Sequence, residues 1–459
     1  MAVAPPGAAA YDARAHDMPS FTAARDGFAA GRDDPRALLE RCIVAIKARE
    51  ADIRAFVVTD IASARRSADA AAVRWRDGNP LSPVDGMPVG LKDTIETADL
   101  PTQMGSPLFA GYRSQRDAAC VDALRRGGAV IVGKTTATEF AYGRHAGTRN
   151  PWDPERTPGT SSSGSAAAVA AGMLPVALGT QLKSSILRPS SYCGCYGYKP
   201  SWGALSMAGI HPYSPSGDHL GSHAGTLADA WLAARFISEF AGPEPGQFGL
   251  DGPMVLPEAD RPARLLRLYT PGWERTSAAV KRAFEAMIDA LRATGVIVHE
   301  PADDPLLQAV ETDTRGADAC IDAVADFEAR WLLRGYRDRG ADLGERVRAS
   351  LARGDAETRA DYHAALRWKQ AFRDHIAAAA ARVDGFIMPS APETAPHGLE
   401  NFGDPIFGTP ATCSGAPSVG LPLLTVDGLP HGVTLMGFRG SDAKLMAQAR
   451  WIDETVGPI

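Results

Sequence analysis

Residues 158–168 read PGTSSSGSAAA, a Ser/Gly-rich loop that runs into a row of small residues. This pattern predicts a loop followed by a short helix over residues 165–171. The next apolar run, at residues 174–178, predicts a strand. A second serine-bearing loop, GTQLKSSILRP at residues 179–189, follows that strand directly. The chain therefore carries two serine loops with one helix and one strand between them.

A lysine stands at the end of another predicted strand, in the segment GLKD at residues 90–93. A serine hydroxyl is a weak nucleophile at pH 7 unless a neighbouring base takes its proton. Lysine serves as that base only where burial lowers its pKa from about 10.4. Because Lys92 follows the apolar run Pro88–Leu91, we expect it to be buried. Lys92 and the two serine loops together predict a serine hydrolase that does not use histidine.

These segments resemble the amidase signature family, whose pattern is a Gly/Ser-rich loop, a small-residue helix and a second serine loop. The resemblance spans about residues 35 to 455 and is weakest between about 215 and 390. Further segments that carry it lie at residues 86–93, 127–136, 139–141, 193–194, 198–200, 408–411 and 429–433.

The fold implied by the resemblance is α/β, with a single large twisted mixed β-sheet covered by helices on both faces. The alternation of predicted helices and strands independently indicates a mostly parallel or mixed sheet between helices. We expect residues 31–459 to form this domain, with a variable substrate-shaping region at about 205–390. Residues 1–30 are expected to be a flexible tail.

The resemblance also implies a role for each site residue. Ser185 would be the nucleophile, Ser161 a proton relay that follows a cis peptide bond, and Lys92 the general base, which makes a Ser-cisSer-Lys triad. No cofactor and no metal are expected. The oxyanion hole would be formed by the backbone N–H groups of Leu182, Lys183, Ser184 and Ser185.

The nucleophile loop departs from the family pattern, which usually has glycines where this chain has Lys183 and Ser184. Loss of both glycines restricts positive φ and adds side chains beside the reacting carbon. Three interpretations are open: Lys183 points away and the N–H geometry is kept, Lys183 binds or gates an unusual substrate, or the site is inactive. We favour the first, and we expect an inactive site least because Lys92, Ser161 and Ser185 are all present.

Four residues are candidates for substrate binding. Arg188 matches a position that contacts a substrate acid in some relatives, and the alternative is a salt bridge that ties the loop. Met104, Phe140 and Tyr142 are candidates for an apolar acyl or aryl pocket, and the alternative for each is ordinary core packing.

The predicted activity is cleavage of amide bonds in small molecules through an acyl-enzyme. Carbamates and esters react by the same route, and the resemblance extends to aryl acylamidases and urethane hydrolases (urethanases). One alternative is a partner-dependent, glutaminase-type amidotransferase subunit. Another is a catalytically silent scaffold with the same fold. The expected partner is a small amide or carbamate substrate, bound by a monomer or homodimer.

Two other motifs suggest rival functions. Residues 128–135, GAVIVGKT, match a phosphate-binding loop letter for letter. That loop needs a strand before it and flexible residues between its glycines, whereas here a helix precedes and the interval reads as a β-branched strand. His211, His219 and His223 lack a carboxylate or cysteine pattern around them, so we expect surface or lining residues in place of metal ligands.

Composition excludes several function classes. The net charge of −6 and the lack of a basic block argue against nucleic-acid binding. The longest weakly polar stretch, residues 166–179, is too short to span a membrane and contains Pro175. The start of the chain has no secretory signal pattern. Six cysteines without a regular framework read as reduced thiols. A cytoplasmic enzyme is therefore expected.

Overall fold

The computed structural model describes residues 10–16 and 18–459. In this part of the chain eleven strands form one sheet, in the order β1-β3-β2-β4-β6-β5-β10-β11-β9-β7-β8. The strands are β1 Phe56–Thr59, β2 Pro88–Lys92, β3 Val130–Thr135, β4 Val176–Gln181, β5 Tyr196–Lys199, β6 His219–Ala224, β7 Arg264–Arg267, β8 Ile297–His299, β9 Gly385–Pro389, β10 Ser418–Val426 and β11 Leu429–Met436.

Fourteen α-helices surround this sheet in the described part of the chain. No helix there is both long enough and apolar enough to cross a membrane. The helices are α1 Phe21–Ala29, α2 Pro35–Ile53, α3 Ile61–Arg76, α4 Ala119–Arg126, α5 Ser163–Ala170, α6 Leu187–Cys193, α7 Leu227–Ala241, α8 Gly272–Arg275, α9 Ala278–Ala293, α10 Pro305–Asp338, α11 Glu345–Ala356, α12 Arg359–Ala379, α13 Thr409–Ser414 and α14 Asp442–Thr455.

The sheet is mixed, because β2 runs parallel to both β3 and β4 while β4 and β6 are antiparallel. Successive side chains of a strand point to opposite faces, and here both faces are buried. In β3, Val130 and Val132 pack with the α2, α3 and α5 side of the core, whereas Ile131 packs with the α4, α7 and α9 side. Helices therefore cover both faces, and the predicted fold class is confirmed.

Predicted strand boundaries shift at β4, which begins at Val176 and ends at Gln181. Pro175 has no N–H to give to a sheet ladder, so the strand begins after it. Strand β6, at His219–Ala224, has no strand pattern in the sequence. Its residues, HLGSHA, have no run of apolar or β-branched side chains to mark a strand.

Part of the predicted N-terminal tail is packed against the domain. Residues 1–9 and 17 of the tail lie outside the described residues. Helix α1 begins after the N-cap Ser20, whose side chain accepts from Ala23 N. Phe21 and Phe28 of this helix are buried in the main core. Asp229 accepts hydrogen bonds from the Phe21 and Thr22 backbones at 2.7 and 2.8 Å. The packed domain thus includes residues before 31.

One glycine of the first serine loop is required by close packing. A Cβ on Gly164 would lie 2.3 Å from Thr136 N and 2.5 Å from Ala55 O, both backbone atoms. We expect Gly164→Ala to lower the free energy of unfolding by about 1–3 kcal/mol or more, because α5 would have to move away from the sheet. A urea unfolding titration measures this change.

Gly335 provides the matched control, since it lies inside α10 and its Cβ would meet no atom within 4 Å. Gly335→Ala is expected to raise the free energy of unfolding by about 0.5–1 kcal/mol through helix propensity alone. Equal effects of the two substitutions would contradict the packing explanation.

Candidate active site

Lys92 is the last residue of β2, and its side chain is fully buried. The Nζ atom lies within hydrogen-bond distance of three hydroxyls: Ser161 Oγ at 2.7 Å, Ser162 Oγ at 3.1 Å and Thr180 Oγ1 at 2.7 Å. Strand β4 supplies Thr180, and the first serine loop supplies the other two. Parallel β2 and β4 lie side by side, so this contact follows from the strand order.

Burial lowers the pKa of Lys92 to about 7, and the negative charge of Asp218 partly opposes this shift. A neutral amine has one lone pair, and a buried lone pair needs a hydrogen bond from a neighbouring hydroxyl. The Ser162 hydroxyl donates instead to the Thr180 carbonyl at 3.1 Å. The donor to neutral Lys92 is therefore either Ser161 or the Thr180 side chain. Lys92 thus has both the lowered pKa and the hydroxyl contacts that a general base needs.

Ser185 lies in the turn between β4 and α6, and 9% of its surface is exposed. Gln181 holds this turn, because its Oε1 accepts from Ile186 N at 3.0 Å and from Leu187 N at 3.2 Å. The Ser185 hydroxyl is hydrogen-bonded to Thr160 Oγ1 at 2.6 Å. The nucleophile predicted from sequence is thus buried except for a small exposed fraction, and it is held by the first serine loop.

The arrangement between the serine loops differs from the one that the resemblance implied. Every peptide bond between described residues is trans, Thr160–Ser161 included, so the implied cis bond is wrong for this structure. A non-proline peptide bond favours trans by about 3–4 kcal/mol. Ser161 contacts Lys92, as expected, but Ser185 contacts Thr160 and not Ser161. The sequence pattern marks Thr160 only as a departure from the usual glycine and assigns it no role.

The backbone of the nucleophile loop keeps free donors. Within the described residues no acceptor is bonded to the N–H of any of the four predicted oxyanion-hole residues. Thr412 approaches the loop from α13, with its hydroxyl 3.4 Å from the Lys183 carbonyl and 3.3 Å from Gln181 Nε2. The residues with free N–H groups are Leu182, Lys183, Ser184 and Ser185.

The Lys183 side chain is held by α10. Its Nζ forms ion pairs with Asp318 at 2.9 Å and with Asp322 at 2.8 Å. Burial opposes the charge, but Asp322 and Asp318 outweigh it and raise the pKa of Lys183. The cation is therefore engaged with helix α10, which favours the interpretation in which the loop keeps its N–H geometry. The two aspartates carried no motif that could have identified them from sequence.

We expect the Lys183 pairs to hold the nucleophile loop in place. Lys183→Met removes both ion pairs and should slow labelling of Ser185 by a fluorophosphonate about tenfold, since loss of one oxyanion donor alone costs about 10²–10³ in rate. The measurement is the labelling rate followed by intact mass. Lys444→Met, which breaks an exposed pair with Asp384 at 3.1 Å, is the control. Equal rates for both variants would mean that the pairs do not position the loop.

The predicted pocket residues lie together on one side of the site. Met104 and Phe140 are buried in a cluster with Leu182 and residues of α10 and α11. Tyr142 borders this cluster and stacks on Tyr213 with 4.6 Å between ring centroids. Met104 N donates to the carbonyl of Asp93, next to Lys92, and Phe140 N donates to Met104 O. Hydrogen bonds of the backbone thus connect the apolar cluster to the residue beside the base.

Met104 and Phe140 have φ values of 56° and 50°. Left-handed backbone is uncommon for such large residues and occurs where the surroundings fix it. Met104 and Phe140 are also the two residues whose backbone N–H groups form the hydrogen bonds between Asp93 and the apolar cluster. The left-handed conformations therefore occur in the segment that joins the cluster to the residue beside Lys92.

Arg188 is 4% exposed and lies in α6, directly after the nucleophile loop. It donates to the Gly403 carbonyl, its Nε has no partner, and no carboxylate pairs with it among the described residues. Burial lowers the pKa of Arg188 to about 10. The alternative of a loop-tying salt bridge is therefore wrong for the described structure.

The rival motifs do not form the sites that they suggested. Residues 130–135 are strand β3, preceded by helix α4, so the lysine of the phosphate-loop pattern lies in a sheet and not in an anion-binding turn. Lys134 Nζ donates to Ile95 O and Thr102 Oγ1. His211, His219 and His223 are buried, so a surface position is wrong for them. No group of metal-binding side chains is found among the described residues.

The fold is a mixed sheet between helix layers, and its buried lysine lies beside two serine loops. A family model described as Amidase matches residues 37–446. The chain belongs to this amidase family, whose members are C–N hydrolases. The predicted family is confirmed.

Relatives match along most of the chain. A glutamyl-tRNA(Gln) amidotransferase subunit of Chloroflexus aggregans is 34% identical and covers 93% of this chain and 94% of the relative. A crystal structure of an amidase is 28% identical, with a TM-score of 0.83, over 95% of this chain and 99% of that one. Peptide amidase from Stenotrophomonas maltophilia is 26% identical, with a TM-score of 0.76, over 95% and 96% of the two chains.

Proposed function

We propose that this chain is a serine hydrolase that cleaves amide bonds of small molecules through an acyl-enzyme on Ser185. The observation that carries the proposal is the buried Lys92 amine, with its lowered pKa and its contact to Ser161. A neutral lysine at the end of a strand, beside a partly exposed serine turn, supplies the base that a serine nucleophile needs.

In this proposal the Ser185 hydroxyl turns from Thr160 to Ser161, and its proton passes to Ser161 as Ser161 gives its own proton to Lys92. Ser185 Oγ forms a bond to the substrate carbonyl carbon, and the free N–H groups at residues 182–185 receive the resulting oxyanion. Protonated Lys92 then returns the proton, through Ser161, to the leaving amine as the C–N bond breaks. Water repeats the sequence on the acyl-enzyme and releases the acid. Thr160 holds the Ser185 hydroxyl in the resting enzyme.

The proposed substrates are amides, with carbamates and esters as substrates of the same route. The apolar cluster of Met104 and Phe140, with Tyr142 at its border, supports an acyl or aryl pocket. Arg188 would face an anionic group of the substrate, because its buried guanidinium has no carboxylate partner in the described part of the protein. Aryl acylamidase and urethanase activities both fit such a site.

A second candidate is a glutaminase-type amidotransferase subunit that acts with partners. The 34% identity to a glutamyl-tRNA(Gln) amidotransferase chain supports it. The two candidates differ in what the isolated chain does. A hydrolase turns over a simple acyl anilide without any partner, whereas a partner-dependent subunit does not. A silent scaffold would react with neither substrate nor serine-directed probe.

The pH dependence of Ser185 labelling tests the role of Lys92. A depressed lysine pKa of about 7 means that the neutral base is present above this pH and is lost as the pH falls below it. We expect the fluorophosphonate labelling rate to rise through about pH 7 and to level off above it. Burial also raises the pKa of Asp218 to about 7, so the apparent midpoint belongs to the pair.

Lys92→Met should lower the labelling rate by about 10²-fold or more and abolish its rise with pH. Lys134→Met is the matched control, because burial also lowers the pKa of Lys134, to about 8, but its Nζ contacts Thr102 and Ile95 O and not the serine loops. Lys134→Met protein that folds should show the same rise of the labelling rate with pH as the wild type. An adduct on Ser161 or Thr160 in place of Ser185 would overturn the assigned nucleophile.

A further inference from the structure

A group of basic side chains that form no ion pair with any carboxylate of the described residues lies at the end of α13. Lys369 and Arg373 come from α12, and Arg439 follows β11. The guanidinium carbons of Arg373 and Arg439 lie 5.9 and 5.3 Å from the ring centre of Trp202. A Cβ on Gly415 would lie 3.5 Å from Arg373 Nη2 and 3.9 Å from Arg439 Cδ. Both arginines therefore converge on one point beside Trp202.

Arg373 has no hydrogen-bond acceptor among the described residues, and its Nε is buried. Burial and the positive charge of Arg439 both lower the pKa of Arg373. Guanidinium groups are polar cations whose removal from water is unfavourable unless they are paired. A half-buried arginine without an acceptor thus lacks the partner that its position requires.

The neighbours of Arg373 do not supply that partner. Arg439 donates to Gln247 and forms no ion pair within the described structure. Lys369 donates to the Ser216 carbonyl at 2.9 Å. The negative charge of Glu328 acts against the lowering of the Lys369 pKa by burial, and this side chain already accepts from Ser214, Ser216 and Tyr362. The thiols of Cys320 and Cys413 lie nearby, and the hydrogen bond from Cys413, with the charges of Lys369 and Arg373, lowers the pKa of Cys320 against the effect of burial. A thiol offers one sulfur atom and does not match the two parallel donors of a guanidinium.

Arginines elsewhere in the protein contrast with this pair. Arg353 contacts Asp326 at 2.5 Å, and Arg74 contacts Asp85 at 2.5 Å. A guanidinium with two free edges matches the geometry of a carboxylate or phosphate group, which accepts two parallel hydrogen bonds. Arg439 and its neighbour Gly440 are exposed, and Trp202 and Arg373 are half-buried, so this group of side chains lies at the protein surface.

We propose that Arg373 and Arg439, beside Trp202, bind the phosphate or carboxylate group of a small molecule at a site separate from Ser185. The proposal goes beyond the amide-hydrolase function and does not depend on it. The site lies at Gly415, the residue directly after α13, whereas Thr412 within α13 contacts the nucleophile loop. The side chains that would face the anion are those of Arg373, Arg439, Trp202 and Gln247.

Isothermal titration of the full chain tests this site, with inorganic phosphate in one arm and succinate in the other. We expect saturable binding of at least one probe at one site per chain. Arg373→Gln with Arg439→Gln should weaken it by about tenfold or more, as expected for loss of charge-assisted hydrogen bonds. Lys444→Gln, another cation that follows β11, should bind as the wild type does. The arm that binds identifies the group.

Three results would overturn the proposal. The first is no saturable binding of either probe. The second is unchanged binding in the double variant. If that binding is lost in Arg188→Gln, the anion binds in the active site. The third is binding of a poly-glutamate peptide alone, which would make this surface a contact for an acidic protein segment. Protection of Arg373 by phosphate against phenylglyoxal, mapped by mass, would give independent support.

Discussion

The buried amine of Lys92 is the constraint on which the candidate site depends. An ammonium in this position would be costly, so burial lowers its pKa, and only hydrogen-bonding groups around Nζ make either charge state tolerable. Those groups are hydroxyls from Ser161, Ser162 and Thr180. They meet because β4 lies beside β2 and the serine loop precedes α5. The small residues of α5 let this helix approach the sheet closely enough for the contact.

The sequence predicted the fold, the burial of Lys92 and the two serine loops because each of these features has a pattern within a short segment. A strand that ends in lysine and loops rich in serine are visible within short segments. The contact between Thr160 and Ser185 was not predictable in this way, because it depends on how two loops meet and on the geometry of one peptide bond. Strand β6 was missed because its side chains are mostly small or polar, and its burial comes from its position between β4 and β5 in the sheet.

Contacts with neighbouring elements hold the nucleophile loop, which lacks the glycines that are usual in the family. Glycines allow a loop to present several N–H groups in one direction, and this chain has Lys183 and Ser184 at those positions. Its loop is held by Gln181 from within, by Thr412 from α13 and by Asp318 and Asp322 from α10. Helix α10 belongs to the region that the sequence marked as variable. The geometry beside the reacting carbon is therefore linked to the part of the chain expected to shape substrate choice.

Arg188 and Arg373 have no carboxylate partner among the described residues, and they lie in two different parts of the protein. Many of its arginines contact carboxylates, and buried Arg49 donates to two backbone carbonyls in place of one, whereas Arg373 has neither kind of acceptor among the described residues. Arg188 lies in the helix that follows Ser185, and in the proposed hydrolase an anion there would be part of the substrate. Arg373 lies beside Trp202 at the C-terminal end of α13, and no contact between Arg373 and the serine loops is found among the described residues. The same physical signal therefore supports substrate recognition in one place and an independent ligand in the other.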